Sequence, residues 1–356
     1  MNIKSLLLGS AAALLAVSGA RAADAVVVAE PEPMEYVRIC DVYGAGFYYI
    51  PGTETCLKIG GLVRYQIDFE EDDNGWKKTA LFRLKFDARS ETEYGTFKRY
   101  IEFQGANNGG ETVYNSVGQQ IGFLGDSSTF GVRYAYFELG GLMIGRNDTL
   151  FDGDLSGEFD SGGGDFIQSI RYTFDAGNGI AVSVGLEEED RNFDYVPIVT
   201  GKVSIAQGWG SVDLFAAYDD RFSEFALKGI AKIKATDALT LELLAAYESG
   251  ATWMSLGFDA GDYLGYDYSI GGYLKYTVND RLTVGAGGQF FADAHAGDFL
   301  NNTTLESDLD TWTVGAVVDY KIVENLNAKL AVNYVDTEVG GDDEYFKGFL
   351  RLDASF

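Results

Sequence analysis

Six carboxylates and no base fall between Asp148 and Asp165: Asp148, Asp152, Asp154, Glu158, Asp160 and Asp165. A segment so charged can attract cations, and a solvated acidic loop is the plainer alternative. It has some of the acidic alternation of calcium-binding loops but lacks the full twelve-residue EF-hand pattern. No metal centre or cofactor is therefore expected, beyond non-specific calcium or magnesium at acidic loops. Bases cluster earlier, at Lys58, Arg64, Arg83, Lys85, Arg89, Lys98 and Arg133. The only histidine, His295, stands near Asp293 and Asp298 in a stretch expected to be a long loop, 293–310, with no nucleophile elbow in company. It is expected as an exposed loop residue, and the chain is not expected to be an enzyme. Cys40 and Cys56 are the only cysteines. In an exported protein they point first to a disulfide, with a metal site the weaker alternative for want of nearby soft or imidazole ligands.

What positions these side chains is a strand pattern. In the first segment Leu57, Ile59, Val63, Tyr65, Ile67 and Phe69 share one face, Lys58, Arg64, Gln66 and Asp68 share the other, and only Leu62 spoils the alternation. In the second, Ala80, Phe82, Leu84, Phe86 and Ala88 oppose Arg83, Lys85, Asp87 and Arg89. Sixteen such segments are expected, near 56–69, 79–91, 95–105, 129–139, 141–147, 166–174, 179–187, 197–206, 209–219, 223–234, 238–248, 266–277, 281–292, 311–321, 325–336 and 345–356. Most exceed the five or six residues usual in soluble sheets and match the nine to eleven of a tilted membrane strand.

The connections alternate in length. Tight breaks such as Glu93-Tyr94-Gly95 and Gly140-Gly141 trade places with longer, acidic linkers such as 70–78, 106–128, 148–165 and 249–265, and 220–222 is the short exception. This predicts an all-β fold, a 16-stranded antiparallel up-and-down transmembrane β-barrel over residues 56–356, with short periplasmic turns and long extracellular loops. A propeller has four short strands in a period of about 40–45 residues, where this chain has two long ones. A sandwich leaves unexplained the aromatics at the ends of the apolar rows, such as Tyr65 and Phe69 or Trp312 and Tyr320, which a membrane barrel uses as interfacial girdles.

Composition agrees. The 356 residues carry 54 acidic and 27 basic side chains, a formal charge of −27, with 45 glycines and 4 prolines. So negative a chain is repelled by nucleic acid, and 14% aromatics argue against disorder. At the start, Lys4, the apolar stretch Leu6 to Val17 and Ser18-Gly19-Ala20-Arg21-Ala22 read as a signal peptide for Sec export, residues 1–22. Residues 23–55 are expected as a periplasmic-side segment. The last strand ends on Phe356 with Leu350, Leu352 and Ala354 on the same face, a terminal aromatic similar to the signal read by outer-membrane assembly machinery.

The stretch Glu30-Pro-Glu-Pro, Met34-Glu-Tyr-Val-Arg-Ile-Cys40 and Tyr49-Ile-Pro-Gly-Thr-Glu-Thr-Cys56-Leu-Lys-Ile-Gly60 resembles the start of alphaproteobacterial general porins, the rhizobial and Brucella-type family. Glu91-Thr-Glu-Tyr-Gly-Thr-Phe97 and Gly140-Gly141 after Tyr134-Ala-Tyr-Phe-Glu-Leu139 are similar to its pattern as well. The resemblance implies a homotrimeric channel of the outer membrane passing small hydrophilic solutes, set among outer-membrane lipid and lipopolysaccharide. It also implies that the third long loop, 148–165, folds inward as a constriction. The seven bases would then form an opposing wall, and the two charges a transverse field. An acidic mouth and loop predict weak cation preference. An adhesin or structural anchor is better served by a smaller, filled barrel.

Overall fold

The computed structural model describes residues 38–71, 75–109, 111–114, 120–124, 127–188, 196–256, 263–340 and 343–356. The expected signal peptide, 1–22, and the loop acids Asp72, Asp73, Glu189, Asp190 and Asp342 lie outside the described residues. Among those described there are twenty strands: β1 (Tyr48–Tyr49), β2 (Cys56–Glu70), β3 (Lys77–Thr92), β4 (Gly95–Asn108), β5 (Glu111–Tyr114), β6 (Gln120–Leu124), β7 (Ser127–Leu139), β8 (Leu142–Asp148), β9 (Phe166–Asp175), β10 (Ile180–Glu188), β11 (Ile198–Gln207), β12 (Gly210–Asp219), β13 (Glu224–Lys234), β14 (Leu239–Glu248), β15 (Leu264–Thr277), β16 (Leu282–Asp298), β17 (Thr303–Glu306), β18 (Thr311–Val323), β19 (Leu326–Thr337) and β20 (Asp343–Ser355).

All except β1, β5, β6 and β17 form one antiparallel ladder of sixteen strands, each paired with its predecessor and successor in the wall. β20 closes the ring on β2, with Leu62 opposite Ser355 and Glu70 opposite Lys347. Phe356 extends the seam, exchanging backbone hydrogen bonds with Gly61 at 3.1 Å in both directions. No helix among the described residues is long and apolar enough to cross a membrane; the strands do the crossing.

Alternation sorts the faces. Ile170, Val184 and Ile270 keep 52%, 57% and 61% of their surface open, while their neighbours Ser169, Ser183 and Ser269 are buried. A soluble protein hides such an apolar row, whereas an outer-membrane barrel turns it to lipid.

Two expected linkers contain further strand. Residues 106–128 include the β5–β6 hairpin. Within 293–310, β16 runs on to Asp298 and pairs with β17, so His295 is a strand residue and only 5% exposed, not an exposed loop residue. The apolar row there is Ala292, Ala294 and Ala296, too small to read as a lipid-facing strand. Asp293, with φ 59°, also drops out of the ladder opposite Asp267.

Residues 39–55 fold against the start of β2. Cys40 and Cys56 are disulfide-bonded, with Cα atoms 6.0 Å apart, and both pack with Phe47 in a small core. The Arg89 guanidinium stacks over Phe47 at 5.1 Å, Tyr43 donates to Glu91 at 2.7 Å, and Lys58 donates to the Ala45 carbonyl at 3.1 Å. Since Lys58 and Arg89 belong to the polar inner rows, this segment sits on the inner face at the short-turn end.

Candidate functional site

Residues 149–165, between β8 and β9, lie inside the ring. Their contacts are to the inward rows of strands spread over much of the wall. On β10, Glu187 accepts from Leu150 N at 2.8 Å and from the Thr149 hydroxyl. On β13, Lys228 donates to the carbonyls of Gly153, at 2.9 Å, and Gly162. On β14, Glu242 accepts from both the backbone and the hydroxyl of Ser156. On β16, Gln289 clamps Ser161, donating to its carbonyl at 2.8 Å and accepting from its N–H at 3.0 Å. On β18 and β19, Thr313 donates to the Phe159 carbonyl at 2.8 Å and Asn333 to that of Glu158 at 2.6 Å.

The loop sequence explains the docking. Phe151, Leu155 and Phe159 are buried in one cluster with the inward-facing Phe215, Ile230, Leu244 and Tyr273. The acids between them turn the other way: Asp152 and Asp154 are exposed to the lumen. Apolar burial thus fixes which side of the loop meets the wall, and the charged side faces water. The return to β9 runs through Gly163 and Gly164, with φ of 72° and 90°, a left-handed backbone that favours glycine. A second loop covers the first: Trp253, Met254 and Leu256 join the same cluster, and Gly164 N donates to the Met254 carbonyl at 2.6 Å.

The six acids have different surroundings. Asp148 ends β8 and accepts from the Tyr134 hydroxyl at 2.8 Å. Asp165, at the other end, accepts from Phe166 N at 2.7 Å. Glu158 pairs with Lys329 at 2.8 Å and Arg351 at 3.4 Å. Asp160 accepts from Leu155 N at 2.6 Å within the loop. Crowding against the wall pushes Asp152 up to about 6, with Asp154 adding repulsion, and Asp160 up to about 8 for the same two reasons. Crowding by the surrounding loop and wall raises Asp154 too, against the pull of Lys228.

The seven bases sit on the inward rows of β2–β4 and β7, and most have carboxylate partners. Arg64 makes two bonds to Asp353, at 2.6 and 2.9 Å. Arg83, Lys85 and Arg133 converge on Glu102, at 3.8, 3.9 and 2.9 Å. A bulge opposite Glu102 and Phe103 brings Arg133 into that cluster. Arg89 pairs with Asp87 at 2.7 Å and Lys98 with Glu138 at 3.2 Å; Lys58 is engaged by Ala45. A cavity of about 510 Å³ lies beside the loop, lined by Gln66, Asp68, Lys77, Thr79 and Asn108 of β2–β4 together with Glu158 of the loop and Asn333 and Lys347 of β19 and β20.

The residues that anchor the loop were not singled out in the sequence. Glu187 opens a run of four acids in the sequence, Glu187 to Asp190, which by charge alone suggests an outer loop, yet it is fully buried under Thr149 and Leu150. A lone Lys228 or Glu242 on the inward row of a strand, flanked by apolar residues on both rows, was the available signal.

Comparison with known proteins gives three findings. The profile of a family described as the Porin subfamily matches residues 24–347. The porin Omp2b of Brucella suis biovar 1 is 36% identical over 391 aligned residues covering all of both chains, and the Omp2b of Brucella abortus aligns equally. Among solved structures, the outer-membrane channel DcaP of Acinetobacter baumannii superposes with a TM-score of 0.62 at 14% identity, over 86% of this chain and 99% of that one. The trimer form of Vibrio cholerae OmpT gives 0.58 at 15% identity, over 85% and 100%.

Proposed function

Because the chain belongs to the Porin subfamily and is an outer-membrane channel for passive diffusion, we propose that residues 149–165 are its constriction and that small hydrophilic solutes and ions are what it passes. The observation that carries this is the fixing of the loop across the lumen by Glu187, Lys228, Glu242, Gln289, Thr313 and Asn333. The exposed carboxylates of Asp152 and Asp154 give weak cation preference. The opposing bases contribute less field than their number suggests, since carboxylates on the same wall neutralise most of them.

The partners belong to the same proposal. The protein works as a homotrimer, in line with the trimer form of the structurally similar OmpT. Phe356, exposed at the closing seam, serves as the assembly signal. Outer-membrane lipid and lipopolysaccharide surround the apolar belt, with calcium or magnesium held loosely by acidic loops.

Planar-bilayer recording tests the reading. Stepwise currents are expected, and replacing residues 152–162 by a short glycine–serine bridge raises the step size. Absence of steps from a folded sample, or steps unchanged by shortening the loop, rejects it.

A further inference from the structure

Where the β16–β17 hairpin rises at the long-loop end, three ligand-bearing side chains come from three adjacent strands: Asp267 from β15, His295 from β16 and Glu306 from β17. His295 and Glu306 are directly opposed in register, and His295 is opposed on its other side by Gly265. One ligand atom from each of the three lies within 4.8 Å of the other two. The imidazole is enclosed, while Glu306 is exposed and Asp267 half-buried, so the site can be reached from solvent.

His295 stands between two carboxylates. His295 Nδ1 lies 3.1 Å from Asp267 Oδ1, and Nε2 lies 3.5 Å from Glu248 Oε2. Nε2 is buried and makes no hydrogen bond. A neutral imidazole carries one N–H, so either neutral tautomer leaves a lone pair facing a carboxylate, a mismatch relieved by a second proton or by a cation on the ring. Glu248 is fully buried and already accepts from Leu256 N at 3.0 Å and from the Thr252 hydroxyl. Gly265 lets this happen: a Cβ there collides with both Glu248 and His295.

We propose that this cluster binds a first-row divalent cation, zinc by preference, through His295 Nδ1, Asp267 and Glu306. One imidazole and two carboxylates are a zinc donor set, with open positions left to water. The 3.1 Å separation of Nδ1 and Oδ1 is close to the roughly 3 Å edge of an octahedron built from bonds of about 2.0–2.2 Å. The metal replaces the proton on Nδ1, and Nε2–H then points at Glu248, which orients the ring from outside the coordination shell. Loaded, the site ties the hairpin to β15 at the mouth of the barrel.

The test uses the folded, full chain in detergent, stripped with chelator and titrated with zinc chloride by calorimetry. Excess magnesium is present throughout, to occupy diffuse acidic surface. One zinc per chain is expected, and cobalt(II) in its place should give visible absorption bands. Glu306→Gln, at an exposed position, and His295→Gln should abolish binding, and Glu248→Gln should weaken it roughly tenfold. Heat-resistant gel mobility reports that each variant is folded. Overturning results are zinc uptake lost to magnesium, uptake unchanged in folded Glu306→Gln, or no uptake with an imidazolium proton at His295 seen by NMR.

Discussion

Glu242 holds Ser156 twice: Oε2 accepts its backbone N–H and Oε1 its hydroxyl, each at 2.7 Å. Ser156 is near the middle of the inward loop, and Glu242 is a buried wall residue. The grip therefore sets how far the loop stands off the wall. Hydrogen bonds to a charged group contribute about 1.5–3 kcal/mol each. Glu242→Gln should loosen the loop and leave the barrel folded. Single-channel traces should become noisier, with larger mean steps, and steps as quiet as those of the parent would contradict this.

Glu158 neutralises Lys329 and Arg351, which it touches directly where the loop meets β19 and β20. Glu158→Gln removes one negative charge and leaves two positive ones facing the lumen. Cation preference should fall or reverse, read as a shift of reversal potential in a salt gradient. The shift should shrink as salt rises, because the Debye length falls to about 3 Å at 1 M.

Asp152 near 6 and Asp160 near 8 make the pore pH-dependent. Each gains its charge as pH rises, so cation preference should strengthen between about pH 5 and pH 9. Asp160→Asn should remove the upper part of that rise. Stability moves the other way. Both groups hold a proton in the folded chain at pH values where the unfolded chain, with its ordinary value of 3.8, has released it. Their contribution is full below 3.8 and is lost as pH climbs through the two raised values. Melting of Asp160→Asn should accordingly lose much of its decline between about pH 4 and pH 8.

Reducing the Cys40–Cys56 bond should free residues 39–55 and leave the wall intact. Closing a loop of this length contributes about 3 kcal/mol in the chain-entropy model. Thiol treatment, or Cys40→Ser with Cys56→Ser, should lower the melting temperature and admit protease before Cys56. The strand signal in circular dichroism should persist.

The strands were legible because lipid on one side and water on the other impose period two on every segment, as Leu57 to Phe69 shows. The acidic loop was legible as charge. Its anchors were not, because docking depends on residues far apart in the chain, such as Phe159 and Thr313, which only barrel closure brings together. The inward face of β12–β14 reads poorly for the same reason: Phe215, Ile230 and Leu244 are apolar on the lumen side, where the loop covers them. His295 misled by company, since acids and small residues around it signal a loop while the backbone continues as strand.

The seam between β20 and β2 imposes an order of events. Every other pairing in the wall joins strands close in the chain, but this one waits for β20. A nascent chain therefore keeps two sticky edges until its last strand arrives, and a product cut short by even that one strand never loses them. Synthesis of β20 is thereby coupled to closure of the wall. Truncated chains should accumulate as chaperone-bound or degraded material and never as smaller channels.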